Sequence, residues 1–579
     1  MSLPHLVLIL ADDLGWNMTG YSGRGPFVST PFLDSLVPTD ALQLTRHYAW
    51  AMCGPSRASL LTGRVPPRAG WYGLRHSNNY GAYYGAPRAM TLLPERLHSA
   101  GYRTGFAGKW DAGFVFSDLL PCRRGFDECL GFFPAAVDHF TQGFAATIAA
   151  GTCGFDEDSL EVFSLWGTNG PVNDLRGSAY GDVLFVKFAV DFIESQLDET
   201  QPLFLYLALQ VAHAPWQVPD AYVDLIASRL EALGEEFASP EEEFRAELAM
   251  VTIIDEAVEN VTAALRRSGM WDDTLLIFSS DNGGSYGNGS RITATGLRFE
   301  VNNNYPLNGY KGTHWDGGFR VTSFVSGGVL PVVMRGRSTD ALIAIADWYA
   351  TLCGLAGGTG CTTDESATAE GLPEVDSIDQ WPVLSGATSQ SVRTTLFADS
   401  DILYDLDEGQ LWKLYQNASE ASTCSTEGIH PSCSNASGGV FLFELTSDPS
   451  EASNLVDLYP DRAASMQLQL ANEPVMEKPQ YEEAVGYLPE DDLLAWCADA
   501  AFESGGNLSP VDWYTSLADL FQEKDVRANA MLKNALELQG VLLVALIVLT
   551  CCLAAARPSP WWSRRFVRMA PDQEMSAAS

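Results

Sequence analysis

LFLYLALQ (203–210), ELAMVTIIDEAVENVTAALRRSG (247–269) and TLLIFSSDNGG (274–284), taken in that order, decide the fold class. The outer two are short, nearly unbroken apolar runs, the pattern of strands buried on both faces. The piece between them reads as an amphipathic helix that ends at Gly269. Strands separated by helices of this length imply an α/β protein with a mostly parallel sheet covered on both faces. Working outward, LVLIL (6–10) repeats the buried-strand pattern, ERLHSAGY (95–102) reads as a helix closed by glycine, and TGFAGKW (104–110) follows it. In such sheets ligands gather at the carboxyl ends of the strands. Downstream, 354–392 is rich in Gly, Ser, Thr and acid and reads as a connecting segment. TLFADSDILYDL (395–406), QLWKLYQN (410–417) and GVFLFEL (439–445) then alternate in the manner of a small antiparallel sheet. The expected division is an α/β domain over 1–353, the connecting segment 354–392 and an antiparallel subdomain over 393–500, with no internal repeat.

The bulk numbers narrow the function classes. At 579 residues, 46% hydrophobic and 19% charged, the composition is that of a globular protein. Thirty-five Lys+Arg against 73 Asp+Glu leave a net charge of −38, which excludes a basic nucleic-acid footprint. The same charge repels polyanions at long range. None of the 11 cysteines forms paired CxxC motifs, so a zinc ribbon is not expected. Cys353 with Cys361, and Cys424 with Cys433, are spaced for local disulfides. Asn17, Asn260, Asn288, Asn417, Asn435 and Asn507 each open an Asn-x-Ser/Thr acceptor, which with the cysteines favours a secretory compartment.

GVLLVALIVLTCCLAAA (540–556) is uncharged and close to the lower length limit for a membrane span. Arg557, Trp561, Trp562, Arg564, Arg565 and Arg568 follow it as a basic, aromatic flank, although Lys524, Arg527 and Lys533 precede it. A buried core helix is the competing reading of this run. The expected layout is a luminal or extracellular globular part, a juxtamembrane stretch 501–537, a single transmembrane helix over 538–556 and a cytoplasmic tail over 557–579. Leu6–Leu10 reads as the first core strand with no charged n-region before it, so either a signal peptide lies upstream of Met1, the preferred reading, or the C-terminal span alone directs insertion.

Asp12 and Asp13 follow the first apolar strand, and Asp281 and Asn282 follow TLLIFSS. Hard oxygen ligands from two strand ends at one rim suit calcium or magnesium, although either pair alone reads as a turn or helix cap. AMCGPSRASLLTGR (51–64) is the more specific stretch. A lone cysteine is usually a small buried hydrophobe. Here Cys53 is followed by Pro55 and Arg57 and then by Leu61, Thr62, Gly63 and Arg64, the CxPxR signature with its LTGR extension.

On these motifs the chain resembles the type I, formylglycine-dependent sulfatase family, nearest its arylsulfatase B group, over roughly residues 4–470. PHLVLILADDLGWN, AGKW, CRRGFD, LFLYLALQVAHAPWQVP, DEAVENVTAAL, SSDNGG and GYKGTHWDGGFR carry the likeness beside the signature. The resemblance implies an alkaline-phosphatase-like sandwich with a large mixed, mostly parallel sheet flanked by helices, plus a small C-terminal antiparallel sheet. It implies that Cys53 is oxidised to formylglycine by a formylglycine-generating enzyme in the endoplasmic reticulum. One calcium ion would be held by Asp12, Asp13, Asp281, Asn282 and the modified Cys53. Arg57 matches the arginine that holds the formylglycine hydrate, Lys109 and Lys311 the two sulfate-binding lysines, and His213 the histidine near the leaving oxygen. Singly, Lys109 reads as a strand cap, His213 as a satisfied core histidine and Lys311 as a loop charge; in order beside the signature they read as a site.

The implied chemistry is hydrolysis of a sulfate ester, on an aryl sulfate or a sulfated sugar. One hydroxyl of the hydrate attacks sulfur, the metal and cations balance the sulfuryl oxygens, and the second hydroxyl allows sulfate to be expelled. One position departs from the family pattern: GKWDAG places Asp111 where GKWHxG has a histidine, the presumed base for sulfate release. A carboxylate also accepts a proton, but at ~5 Å and an effective dielectric of ~20 its charge repels another unit charge by ~3 kcal/mol. Gly54 inside the signature is a milder difference. Two other functions stay open on these residues: a phospho- or phosphonoester hydrolase using formylglycine, and a catalytically impaired protein that binds sulfated glycans, to which Asp111 points.

Overall fold

In the computed structural model the described residues are 3–22, 28–70, 85–114, 116–144, 162–196, 200–234, 242–285, 291–292, 298–299, 304–416 and 439–476. The elements that matter below are β1 (His5–Ala11), β2 (Ala41–Leu44), α1 (Cys53–Thr62), β3 (Arg103–Lys109), β4 (Glu128–Phe132) and α2 (Gly181–Glu194). They are followed by β5 (Leu203–Ala208), α3 (Glu242–Arg267), β6 (Thr274–Ser280) and β7 (Ser323–Ser326). Every residue of β1, β5 and β6 is buried, as their unbroken apolar runs required. These strands form a parallel core in the order β4-β3-β5-β1-β6. β7 and then β2 extend it antiparallel, giving a mixed sheet of 10 strands once the short edge strands are counted.

The expected helix at 247–269 begins earlier, at Glu242, and ends in Arg266 and Arg267, whose charge suits the negative end of a helix. The smaller sheet is a meander of β8 (Thr395–Asp399), β9 (Ile402–Asp407), β10 (Gln410–Tyr415) and β11 (Phe441–Glu444), backed by a helix over Pro460–Ala471. Segment 354–392 is packed rather than loose: it carries helices at Glu365–Ala369 and Trp381–Leu384 and buries Leu372, Val383 and Leu384. Asp364 and Asp376 tie it to Arg64 at the end of the signature and to Arg68 just beyond it. A polar composition concealed this, because its order comes from ion pairs with distant residues.

The smaller sheet packs its core against segments of the α/β part, with Trp50, Trp315 and Phe319 meeting Tyr404, Trp412 and Phe441. At this seam Lys413 is fully buried, 2.7 Å from Glu451 and 3.4 Å from Asp316, and the hydroxyls of Tyr48 and Tyr404 donate to Asp316 at 3.0 and 2.9 Å. Removing one member of a buried charge network strands the others without water. Lys413→Met is therefore expected to destabilise the protein by about 3–5 kcal/mol, measured by denaturant unfolding; a loss under about 1 kcal/mol would show that the two acids do not depend on it.

Three further expectations meet the structure here. Cys353–Cys361 is a disulfide, and Cys122–Cys129 is a second that the spacing did not flag. Asn17 is only 5% exposed, too enclosed to carry a glycan, whereas Asn260 is exposed on α3. Cys424, Cys433, the remaining acceptor asparagines and the apolar run 538–556 lie outside the described residues; among the described residues no helix is long and apolar enough to cross a membrane.

Candidate active site

Four adjacent parallel strands deliver the polar residues to one rim. β1 ends into Asp12 and Asp13, β6 into Asp281 and Asn282, β3 at Lys109 with Asp111 beyond it, and β5 runs into the turn that holds His213. Close approach of these ends needs glycine: a Cβ on Gly108 would lie 1.8 Å from the Ala208 carbonyl oxygen, and one on Gly283 would lie 1.7 Å from that of Gly317. Asp13 and Asp111 take left-handed backbone, at φ 58° and 48°, which aspartate tolerates better than most residues. Such conformations concentrate where function constrains the chain.

Cys53 occupies the first turn of α1, so the positive end of the helix dipole faces the same rim. Arg57 lies one turn later on the same face, fully buried, and donates to Asp281 Oδ2 at 2.7 and 3.0 Å and to the Lys109 carbonyl at 2.8 Å. Its guanidinium also approaches Asp12 Oδ2 at 3.6 Å. Lys109 Nζ pairs with Asp12 at 2.6 Å and lies 3.9 Å from Asp111. Lys311, from the loop after Pro306, pairs with Asp13 at 2.6 Å, and His213 Nε2 stands 3.8 Å from the same carboxylate. All the residues read from the sequence as catalytic or metal-binding thus come together.

The charges settle unevenly. Burial alone would raise Asp12 and Asp13, yet Lys109 and Lys311 respectively, helped by His213, hold both carboxyls below their usual range. Asp111 is different: burial pushes it up to about 6 against the pull of Lys109 and Arg57. Burial also drives the Cys53 thiol well above its ordinary value, with Asp12 and Asp281 adding to the effect and the lysines opposing it. An unmodified Cys53 is therefore protonated and a weak nucleophile. His213 is lowered by burial and by Lys311. Its Nδ1 is 2.5 Å from the Ala214 carbonyl, which only accepts, so Nδ1 carries a hydrogen and Nε2 is the atom free to exchange a proton.

The residues fit a hard cation. Four buried carboxylates, Asp12, Asp13, Asp111 and Asp281, face three cationic side chains, Arg57, Lys109 and Lys311. Among the described residues Asp12 Oδ1 and Asn282 Oδ1 are buried with no hydrogen-bond partner, a costly state that a metal ion relieves. Donor atoms of Asp12, Asp13, Cys53 and His213 lie within 4.8 Å of one another. Asp281 is more committed than its sequence position implied, since Arg57 takes one oxygen and the Asp13 backbone N–H donates to the other at 3.3 Å. Thiol sulfur is a poor calcium ligand, so conversion of Cys53 to an oxygen-bearing side chain would improve the set.

Two neighbours escaped the sequence reading. Tyr206, hidden in the apolar run of β5, is fully buried against the Arg57 guanidinium. His139 lies behind the turn that holds His213, with Nε2 3.2 Å from the His213 carbonyl. No motif marks either one.

Residues 4–358 match the family model described as Sulfatase. Arylsulfatase J of Mus musculus is 33% identical over 430 residues, covering 74% of this chain and 61% of that protein. Arylsulfatase A of Bos taurus is 30% identical over 526 residues, covering 86% of this chain and 93% of that protein. Among solved structures, the PsFucS1 sulfatase from Pseudoalteromonas sp. superposes with a TM-score of 0.60 at 22% identity, over 84% of this chain and 92% of that one, a likeness of fold. The chain spans about three fifths of the length of the first curated relatives it matches.

Proposed function

The chain belongs to the sulfatase family, and from that membership we propose that it hydrolyses a sulfate ester, an aryl sulfate or a sulfated sugar, at Cys53. The observation that carries this reading is the enclosure of Cys53 by metal-type donors and by Lys109, Lys311 and Arg57 at one rim of the sheet. Oxidised to an aldehyde and hydrated, Cys53 would supply a nucleophilic hydroxyl and a second hydroxyl through which sulfate is later expelled. A calcium ion on Asp12, Asp13, Asp281 and Asn282 would supply positive charge for the sulfuryl oxygens and for that nucleophile.

The chain's own side chains do the rest. Lys109 and Lys311 keep their protons strongly and would offer positive charge to the anionic ester. Arg57 holds Asp281 and the Lys109 carbonyl in place, fixing the distance between α1 and β3. His213, with Nδ1–H held by the Ala214 carbonyl, gives a proton from Nε2 to the departing alkoxide only as the imidazolium, so Nε2 must first take up a proton, which Asp12 and Asp13 favour and burial and Lys311 oppose. Asp111 would take the proton whose loss releases sulfate, the task the family gives to histidine.

Oxidation of Cys53 requires a formylglycine-generating enzyme in the secretory pathway, and the run 540–556 would tether the catalytic part to a membrane. Protein made in a secretory host is expected to cleave 4-nitrophenyl sulfate far faster than 4-nitrophenyl phosphate and to lose that activity to a calcium chelator. Calcium at 100-fold its Kd should also raise stability by about 2.7 kcal/mol, an effect that Asp13→Asn should largely remove. Preference for the phosphate ester would overturn the substrate class; an unfolding midpoint indifferent to calcium would overturn the metal.

A further inference from the structure

His139 and Asp182 are both fully buried behind the turn that carries His213. The His139 Nε2 contact with the His213 carbonyl, at 3.2 Å, fixes a tautomer: a carbonyl only accepts, so Nε2 carries hydrogen. His139 Nδ1 then faces Asp182 Oδ2 at 3.5 Å, and among the described residues neither atom has a hydrogen-bond partner. Two buried acceptors turned toward each other would be costly, and one proton between them removes the cost. The remaining contacts hold this pair rigidly. Asp182 Oδ1 accepts from the Gln210 backbone N–H at 2.8 Å, at the start of the same turn. The His139 ring stacks on Tyr180 at 5.2 Å between centroids, and its backbone N–H donates to Gln217 Oε1 at 3.1 Å, at the turn's far end. The turn is tied in addition to the metal-side strand, because Ala212 N–H donates to the Asp12 carbonyl at 2.7 Å.

We propose that His139 and Asp182 form a buried pair that shares one proton and positions His213, so that proton delivery to the leaving oxygen depends on both. This rests on His213 being the leaving-group acid. His139 does not touch the substrate; it is a positioning residue that sets where the His213 imidazole stands. Its effect should therefore grow with the need for protonation. A phenol with a low pKa leaves without help, whereas a basic phenol or a sugar alcohol needs the proton.

The test measures kcat and KM for the full chain on a series of aryl sulfates whose leaving phenols range from acidic to basic. His139→Phe is expected to change 4-nitrophenyl sulfate turnover by under about 3-fold and to lower kcat on the most basic leaving group by about 30-fold, with KM little changed. His139→Gln, which retains an amide donor at the Nε2 position, should stay within about 3-fold of the parent across the series. Asp182→Asn should reproduce the leaving-group dependence of His139→Phe, which keeps the test valid if the phenylalanine variant fails to fold. A uniform loss across the series in both His139→Phe and Asp182→Asn, or no loss in either, would overturn the proposal. His213→Ala measured alongside separates the premise: a loss independent of the leaving group there would remove His213 as the acid, and this inference with it. A leaving-group-dependent loss in His213→Ala with flat profiles in both other variants would remove the positioning role alone.

Discussion

Cys53→Ala should reduce kcat by at least about 10⁴-fold while leaving the unfolding midpoint within a few degrees of the parent. The reasoning is chemical. As a plain thiol Cys53 is held protonated by burial and by Asp12 and Asp281, and sulfur suits neither calcium nor the oxygen donors around it. Everything that turns this position into a nucleophile therefore depends on replacing its sulfur with oxygen. The companion measurement is mass spectrometry of the tryptic peptide that follows Arg46 and contains Cys53, from protein made in a secretory host. The expected species is the aldehyde. Finding only thiol, together with turnover unaffected by the alanine, would end the mechanism.

Asp111→Asn is the second large effect, and it should split the kinetic constants. In the fold burial raises the Asp111 carboxyl to about 6, so raising pH through that value converts a neutral acid into a carboxylate 3.9 Å from Lys109. As a base Asp111 works only when ionised, so kcat of the parent should rise with pH through about 6. The same ionisation puts a negative charge beside an anionic ester, so KM should rise over the same interval, by up to about 100-fold for ~3 kcal/mol of repulsion. Added calcium favours the ionised form and should move both limbs to lower pH. Asp111→Asn is expected to abolish both limbs: KM stays low, kcat falls by about 10²-fold or more, and the first turnover survives as a burst of phenol. Unchanged steady-state turnover in the asparagine variant would remove Asp111 as the base. A gain of more than about 10-fold in Asp111→His would show instead that the aspartate impairs the enzyme.

The linkage to stability has its own sign. A carboxyl raised from its unfolded value near 4 to about 6 in the fold binds its proton more tightly when folded. Its contribution is thus fully present below pH 4 and is lost as pH rises through about 6. Asp111→Asn should flatten that part of the stability profile.

What the sequence determined by itself was whatever is written locally. Unbroken apolar runs mark β1, β5 and β6, because a strand buried on both faces has no polar side to show. The signature from Cys53 to Arg64 is contiguous and so was legible as a motif, whereas the helix that sets Arg57 one turn from Cys53 was seen only in the structure. Asp12, Asp13, Asp281 and Asn282 were legible because each pair ends such a run. What only the tertiary structure decided depends on strand order and on exclusion of water. Parallel pairing β3-β5-β1-β6 is what brings Lys109 and the His213 turn to the two acidic strand ends. Lys311 reaches them on a separate loop, and buried Lys413 pairs with Asp316 further along the chain. The Cys122–Cys129 bridge, the burial of Asn17, the order of 354–392 and the His139–Asp182 pair carry no local mark. The pKa of Asp111 belongs with them, because a carboxyl's proton affinity is set first by burial and then by the charges around it, and apart from Lys109 those charges, on Arg57, Asp12 and Asp281, come from distant parts of the chain.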